Sequence, residues 1–217
     1  MVMAEATNHY FKHLGVSDGL SQVCIPSIYQ DELGAVWLGT TEGLNRYNGK
    51  DVKVFQPSES NHGLTNNEIN ELCGDKNGRM YIRSGNDLIK LDIYTEQFTC
   101  LRQKGVYGLF CKKDTLWVSC ADGIYYYTGQ GTELTFFARV QKGFVGRALY
   151  VDKETVWVVT RKYLVAISRE DPLRQEILLT LDKGNCILGD SSGNIWVGAW
   201  NGLYRISPNR ETTAYVS

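Results

Sequence analysis

Short apolar runs alternate with polar turns along this chain, and one apolar triplet returns five times. Each triplet has an aromatic residue at its centre, and successive centres lie about 40 residues apart. Three successive apolar residues predict a strand that is buried on both faces. A repeat of this length, with several short strands, predicts the four-stranded blades of a β-propeller. The central aromatic residues, called anchors below, are Trp37, Tyr81, Trp117, Trp157 and Trp196.

The segments around each anchor predict four strands, named a to d in chain order, with strand a innermost and the anchor in strand b. A tight polar turn joins a to b, and in the first repeat it reads Asp31-Glu-Leu-Gly34. Asp accepts hydrogen bonds within such a turn, and Gly adopts positive φ. The turn recurs at residues 75–78 and 190–193, whereas the third and fourth repeats lose its Asp and Gly. Because the Asp occupies one repeated column, a turn role is favoured over acid–base catalysis.

The predicted fold class is therefore all-β, a β-propeller with five four-stranded antiparallel blades in this chain. A flexible terminus at residues 1–9 is expected to precede a propeller over residues 10–217. Either Tyr10–Leu14 or Thr212–Val216 could complete the last blade. Either the five blades close a ring, or open edges pair with another copy of the chain. The blade cores are expected at about residues 23–56, 66–102, 105–139, 146–181 and 185–216.

Composition narrows the classes of partner. With 217 residues, of which 43% are hydrophobic, the chain can bury about 70% of its unfolded surface as one domain. Its 23 basic and 24 acidic residues give a net charge of -1, and no basic stripe interleaves with aromatics, so nucleic acid is not an expected partner. There is neither an apolar run of about 18 residues nor a signal segment, so direct membrane contact is not expected. Two interpretations of the protein's location are therefore compatible with the sequence: a cytosolic protein, or an exported domain without its leader.

Few residues suggest chemistry. Six cysteines are scattered without a C-x-x-C pair, mostly in predicted strands, and are expected to be small buried apolar residues. Of the three histidines only His9 and His13 lie close together, which does not predict a metal site. A nucleophile elbow, a phosphate loop and a zinc signature are all absent. No catalytic residue, metal or cofactor is therefore expected, and the chain is not expected to be an enzyme.

Recognition residues are expected in the b–c and d–a connections, which open on one face around a propeller axis. Trp200 is the only tryptophan outside the anchor column, and its flat apolar face beside Asn201 would suit a sugar ring; the alternative is that it covers a blade edge. Arg161 and Lys162 could attract a carboxylate or a sulfate, or could simply be solvated. The candidate ligand-binding residues, all in b–c connections, are Trp200, Asn201, Arg161, Lys162, Asp122, Asn86 and Glu42.

The first repeat closely resembles the two-component regulator propeller repeat. It reads Asp18-Gly-Leu-Ser21, then Trp37-Leu-Gly-Thr40 and Glu42-Gly-Leu-Asn-Arg-Tyr-Asn-Gly49. The fifth repeat, with Leu188-Gly-Asp-Ser-Ser-Gly-Asn-Ile-Trp-Val-Gly198, is similar, and the resemblance covers roughly residues 10–210. In that family such repeats form the N-terminal sensor of hybrid two-component systems. The sensor consists of tandem propellers in the periplasm, and a membrane span, a histidine kinase and a regulator follow it. Family propellers of this kind usually have seven blades.

The resemblance implies a non-catalytic sensor segment in the periplasm that binds an oligosaccharide, or transmits its binding, in a hybrid two-component signalling receptor. The alternative is an interaction scaffold that docks on the downstream sensor domains of its own parent protein or on a homodimer mate. A third interpretation is a glycoside-cleaving enzyme, which needs two carboxylates about 5 to 10 Å apart. Glu42 and Asp122 are the acids that the b–c connections offer for that role.

Overall fold

The computed structural model describes residues 12–57, 63–102 and 104–215. This part of the chain forms five four-stranded antiparallel sheets, and in each sheet the strands lie side by side in chain order. Two short 3-10 turns, at Val16–Asp18 and Gln141–Gly143, accompany the sheets. The predicted five-bladed, all-β architecture is thereby confirmed.

The strand bounds follow the repeat closely. The first two blades contain β1 (Ser27–Gln30), β2 (Val36–Thr40), β3 (Gly43–Tyr47), β4 (Val52–Phe55), β5 (Ile69–Gly74), β6 (Arg79–Ser84), β7 (Asp87–Asp92) and β8 (Phe98–Arg102). The third and fourth contain β9 (Val106–Lys112), β10 (Thr115–Cys120), β11 (Gly123–Tyr127), β12 (Thr135–Ala138), β13 (Gly146–Val151), β14 (Thr155–Thr160), β15 (Tyr163–Ser168) and β16 (Gln175–Thr180). The fifth contains β17 (Cys186–Gly189), β18 (Ile195–Ala199), β19 (Gly202–Ile206) and β20 (Thr212–Tyr215).

The anchors form the core between blades. Trp37 of the first blade shares a buried apolar cluster with Leu72 and Ile82 of the second, and Trp157 of the fourth shares one with Val197 of the fifth. Burial of large aromatic faces between stacked sheets is the main stabilising contribution here. The structure therefore confirms that Trp37, Tyr81, Trp117 and Trp157 pack between neighbouring blades, whereas Trp196 of the last blade is only half-buried.

The aspartate of the a–b turn holds the anchor indole in place. In the first blade, Asp31 Oδ1 accepts the main-chain N–H groups of Leu33 and Ala35 at 3.0 and 2.9 Å. Its other oxygen, Oδ2, accepts the indole Nε1–H of Trp37 at 2.7 Å. One carboxylate thus shapes the turn and satisfies the only polar atom of a fully buried anchor.

The same carboxylate–indole bond recurs in other blades. It joins Asp190 to Trp196 at 2.9 Å in the fifth blade and Asp152 to Trp157 at 2.6 Å in the fourth. The expectation that the fourth repeat has lost this Asp is therefore wrong. Its a–b turn is one residue shorter, so an ungapped comparison of the repeats misaligns Asp152.

The last blade is completed by the C-terminal candidate. β20 pairs antiparallel with β19, Thr213 lying opposite Arg205. In the N-terminal candidate Tyr10 and Phe11 lie outside the described residues, and the following Lys12 donates a hydrogen bond to the Tyr47 hydroxyl of the first blade at 3.2 Å.

The cysteines are less buried than the sequence predicts. Cys120 is buried, but Cys24 and Cys186 are exposed, so the expectation is wrong for these two. Both lie near the exposed start of an inner strand, where the sheet edge meets solvent. Cys111 lies opposite Leu116 in the β9–β10 register, as expected, and its sulfur lies 2.9 Å from that of Cys73 in the neighbouring blade.

Candidate functional site

The inner strands of all five blades surround one axial cavity of about 730 Å³. Glu71 and Arg83 form an ion pair in its wall, with 3.3 Å between Oε2 and Nε, and Glu71 also accepts the main-chain N–H of Leu109 from the next blade. Burial raises the pKa of Glu71, against the influence of Arg83. The Glu71 contacts join the second blade to the neighbouring third blade, so this ion pair has a structural role.

The b–c and d–a connections meet on one side of the propeller, called the loop face below. Main-chain hydrogen bonds join them: Gly184 N–H donates to the Arg161 carbonyl at 3.1 Å, and Trp200 N–H donates to the Asp182 carbonyl at 2.9 Å. In the third blade Ala121 N–H donates to the d–a connection in the same way. The connections of each blade are therefore fixed on its neighbour, which positions their side chains.

Three of the candidate residues are engaged in local structure. Asp122 accepts hydrogen bonds from Arg102 Nη2 and the Tyr125 hydroxyl, both at 2.8 Å. Partial burial acts to raise its pKa, but these two partners outweigh it and hold the pKa below its usual value. Glu42 and Asn86 accept hydrogen bonds within the loop face through their main-chain carbonyl oxygens. An ionised, partnered Asp122 is poorly suited to donate a proton to a glycosidic oxygen.

Asn201 organises the fifth blade. Its Oδ1 accepts the Asp182 main-chain N–H at 3.2 Å, and its Nδ2 donates to the Tyr204 hydroxyl at 2.7 Å. Both ends of the amide are therefore occupied. Asn201 therefore joins the d–a connection that carries Lys183 to the b–c connection that carries Trp200.

Trp200 and Arg161 line the same cleft of about 320 Å³ between the fourth and fifth blades, called the rim cleft below. The Trp200 side chain is 75% exposed. Lys183 Nζ lies 3.6 Å from the centroid of its ring, a cation–π contact. Arg147 and Asn185 complete the lining.

A second cleft of about 380 Å³ adjoins the first and includes Lys162. Its floor is largely apolar: Phe144 packs against Tyr163 with ring centroids 4.8 Å apart, and Tyr107 adds another aromatic surface. Arg161 and Arg147 line both clefts, and Arg147 also lines the axial cavity. The loop face of the fourth and fifth blades therefore combines exposed aromatic surface with several cations.

Sequence reasoning missed Arg147, Lys183, Phe144 and Tyr107. They lie in or beside the d–a connections and inner strands, whereas the candidates were chosen from the b–c connections alone. Since both connections open on one face, inspection of the residues before each inner strand and at its start would have found Lys183 and Arg147.

Another cleft, of about 660 Å³, lies between the fourth and fifth blades on the side away from the loop face. Its lining mixes Lys153, Arg174 and Arg210 with Glu154, Glu170 and Glu176, and Arg210 pairs with Glu176. Charges of both signs and little apolar surface are typical of a solvated seam between blade edges. This cleft offers a ligand less than the loop face does.

Within residues 12–57, 63–102 and 104–215, no group of three or more His, Cys, Asp or Glu side chains gathers in a way that could hold a metal ion. None of the helices in these ranges has the length and apolar character needed to cross a membrane.

The sequence profile of the family "Two component regulator propeller" matches residues 19–42. A curated relative, histidine kinase P4 from Formosa agariphila, is 40% identical over 53 residues, which are 24% of this chain and 4% of that protein. The extracellular domain of BT3049 from B. thetaiotaomicron, described as a hybrid two-component system, has a TM-score of 0.81 at 23% identity. That match covers 94% of this chain and 32% of the other, so this chain spans about a third of that domain.

The propeller fold also occurs in enzymes. Virginiamycin B lyase from Staphylococcus aureus has a TM-score of 0.68 at 12% identity, and the match covers 89% of this chain and 70% of the lyase. Fold alone therefore does not decide between a sensor and an enzyme. The family match and the kinase relative confirm the predicted resemblance: this chain is a β-propeller whose sequence is similar to the two-component regulator propeller repeat.

Proposed function

We propose that this chain is the periplasmic sensor segment of a two-component receptor and that it binds a carbohydrate on the loop face, without catalysis. The observation that carries the proposal is Trp200, an indole that is 75% exposed in a cleft lined by hydrogen-bond donors. Sugar rings have apolar C–H faces and polar edges. A flat aromatic surface with donors around it matches both properties.

The scaffold supports this role. The connections that carry Trp200 and Arg161 are held by main-chain hydrogen bonds to the neighbouring blade or connection, and the Asn201 amide fixes the turn between them. A site whose backbone is already ordered loses little entropy when ligand binds. Ligand bound across two blades would also be sensitive to their relative position, which suits a sensor.

Titration calorimetry against a panel of neutral and charged oligosaccharides tests the proposal. Trp200→Ala is expected to weaken binding at least tenfold, about 1.4 kcal/mol, because the stacking surface is lost. Trp200→Phe should restore part of the affinity, since an aromatic face remains. Leu173→Ala, at an exposed position in a c–d connection, is the control and should bind as the wild type does. Absence of binding across the whole panel would refute the proposal.

A second candidate function is that of a docking scaffold, and the outer face of the fifth sheet favours it. Trp196 is the only anchor of the five that is not buried, and Leu188, Leu203 and Tyr215 lie on the same face and are exposed. In the other four blades the next sheet covers the anchor. An apolar sheet face of this kind is typical of a surface that packs against another sheet.

Light scattering tests the scaffold. If the Trp196 face mediates pairing, the protein should form a dimer, or a complex with the neighbouring domains of its parent receptor, and Leu203→Glu should abolish it. Leu173→Glu is the matched control on an exposed c–d connection. A monomer that gains no partner would exclude the scaffold and leave the carbohydrate proposal untouched.

A further inference from the structure

We propose that the rim cleft takes an anionic saccharide, one whose sugar carries a carboxylate or a sulfate ester; this inference rests on the proposed carbohydrate binding. Three cationic side chains line the rim cleft with Trp200, and a fourth lines the adjoining cleft. The three are Arg147, Arg161 and Lys183, and the fourth is Lys162.

The two arginines among these cations differ from most arginines elsewhere in the described chain. Five arginines in other parts of the described chain pair with a carboxylate within 3.3 Å or less: Arg46, Arg79, Arg83, Arg102 and Arg210. Within the described ranges, none of the four cations at the clefts forms an ion pair. Asp182, the acid next to Lys183 in sequence, binds the neighbouring turn through its main chain.

The excess of positive charge is local. The whole chain has a net charge of -1, so four cations that lack acidic partners in one region are a departure from its balanced composition. Like charges gathered at a concave surface repel one another, and the repulsion is relieved when an anion binds between them. The field of the cleft thus selects for a negatively charged ligand.

The geometry also favours a charged sugar over a simple anion. Lys183, at a φ of 48°, lies over the Trp200 ring, which remains largely exposed. The guanidinium of Arg161 or Arg147 can donate two parallel N–H hydrogen bonds to two oxygens of a carboxylate or sulfate. Trp200 supplies the apolar surface for the ring, and the arginines supply the charge recognition.

Titration calorimetry with charge-matched probes tests the inference. The probes are oligogalacturonate against its methyl ester, and sulfated galactan oligosaccharides against their desulfated forms. At least one charged form is expected to bind ten or more times more tightly than its neutral counterpart, and the preference should shrink as salt is raised. A preference within the galacturonate pair would identify a carboxylate as the recognised group, and a preference within the galactan pair would identify a sulfate ester.

Arg161→Gln and Arg147→Gln should each reduce the affinity for the charged probe tenfold or more and weaken binding of the neutral probe much less, so that the preference for the charged probe shrinks. Arg174→Gln, in the mixed-charge seam on the other side of the propeller, is the matched control and should change neither. Thermal unfolding checks that the variants fold, which their exposed positions favour.

The outcomes separate the two proposals. If neutral probes bind as tightly as charged ones, or if both arginine variants bind the charged probe as the wild type does, the anionic assignment is overturned while carbohydrate binding stands. If no probe binds at all, the proposed function fails and this inference fails with it.

Discussion

Removing the Asp31 carboxylate should expose how much the a–b turn contributes to the propeller. This carboxylate accepts three hydrogen bonds, from Leu33 N, Ala35 N and Trp37 Nε1, at 3.0, 2.9 and 2.7 Å. Asp31 is 4% exposed and Trp37 is fully buried, so water cannot replace the lost acceptor. Asp31→Asn keeps one oxygen for the turn but turns an amide N–H towards the indole N–H.

The magnitude follows from the three bonds. Leaving a buried indole N–H without an acceptor costs about 1 to 3 kcal/mol, and each lost turn bond adds about 1 kcal/mol. Asp31→Ala is therefore expected to lower the free energy of unfolding by about 3 to 5 kcal/mol. Asp31→Asn, which loses mainly the indole bond, should lower it by about 2 to 3 kcal/mol.

A double-mutant cycle with Trp37→Phe isolates the carboxylate–indole bond, because Phe lacks the N–H donor. Urea unfolding followed by circular dichroism would supply the four free energies, and the coupling between Asp31→Asn and Trp37→Phe should be about 1.5 to 3 kcal/mol. Asp51→Asn, at an exposed position in the c–d turn, is the control and should be close to neutral. A coupling below about 0.5 kcal/mol would refute the idea that this bond holds the anchor.

Three further outcomes are expected. The pKa of Asp190 is lowered to about 2, mainly by the Trp196 indole N–H. Since this is below its ordinary value of 3.8, the stability that Asp190 contributes is present above pH 3.8 and is lost as the pH falls to about 2. In Asp190→Asn the thermal unfolding midpoint should therefore depend less on pH over that range. Gly74→Ala should lower the free energy of unfolding in urea by about 1 to 3 kcal/mol, because the added Cβ would lie 2.1 Å from the Tyr29 hydroxyl of the first blade. Mild oxidation should join Cys73 to Cys111 in a disulfide, which non-reducing peptide mapping would detect. Closing a span of 38 residues should stabilise the folded protein by about 4 kcal/mol.

Each of these has a result that would contradict it. A wild-type pH profile in Asp190→Asn would show that the indole bond does not stabilise the charged carboxylate. Gly15→Ala is the control for the glycine, since its Cβ would meet nothing closer than 3.7 Å; equal effects at both glycines would remove the steric argument. Oxidation that links Cys24 or Cys186, rather than the close pair, would show that exposure outweighs proximity.

The sequence predicts the fold of this protein more completely than it predicts the candidate site. The anchor column, the strand order and the turn aspartates were readable because each leaves a short local pattern that recurs along the chain. Asp152 shows the limit, because a turn shortened by one residue hides an interaction that the folded blade keeps, at 2.6 Å from the Trp157 indole.

The candidate site was only partly readable. The sequence marked Trp200 and Arg161 because they break the repeat on the b–c connections. It did not distinguish them from Asp122 and Asn201, whose side chains the structure shows to be occupied by local hydrogen bonds. Hydrogen-bond engagement of an exposed polar residue depends on neighbours that sequence spacing does not reveal.

The amino-acid sequence by itself determined the repeat, and with it the all-β blades, the anchors and the side of the molecule where connections gather. Short-range hydrogen bonding and apolar alternation within about 40 residues are enough for that. Only the tertiary structure decided that Arg147, Arg161, Lys183 and Trp200 surround one cleft. Those residues come from one inner strand and three connections of the fourth and fifth blades, and the packing of one sheet on the next, rather than any local pattern, sets the distance between them.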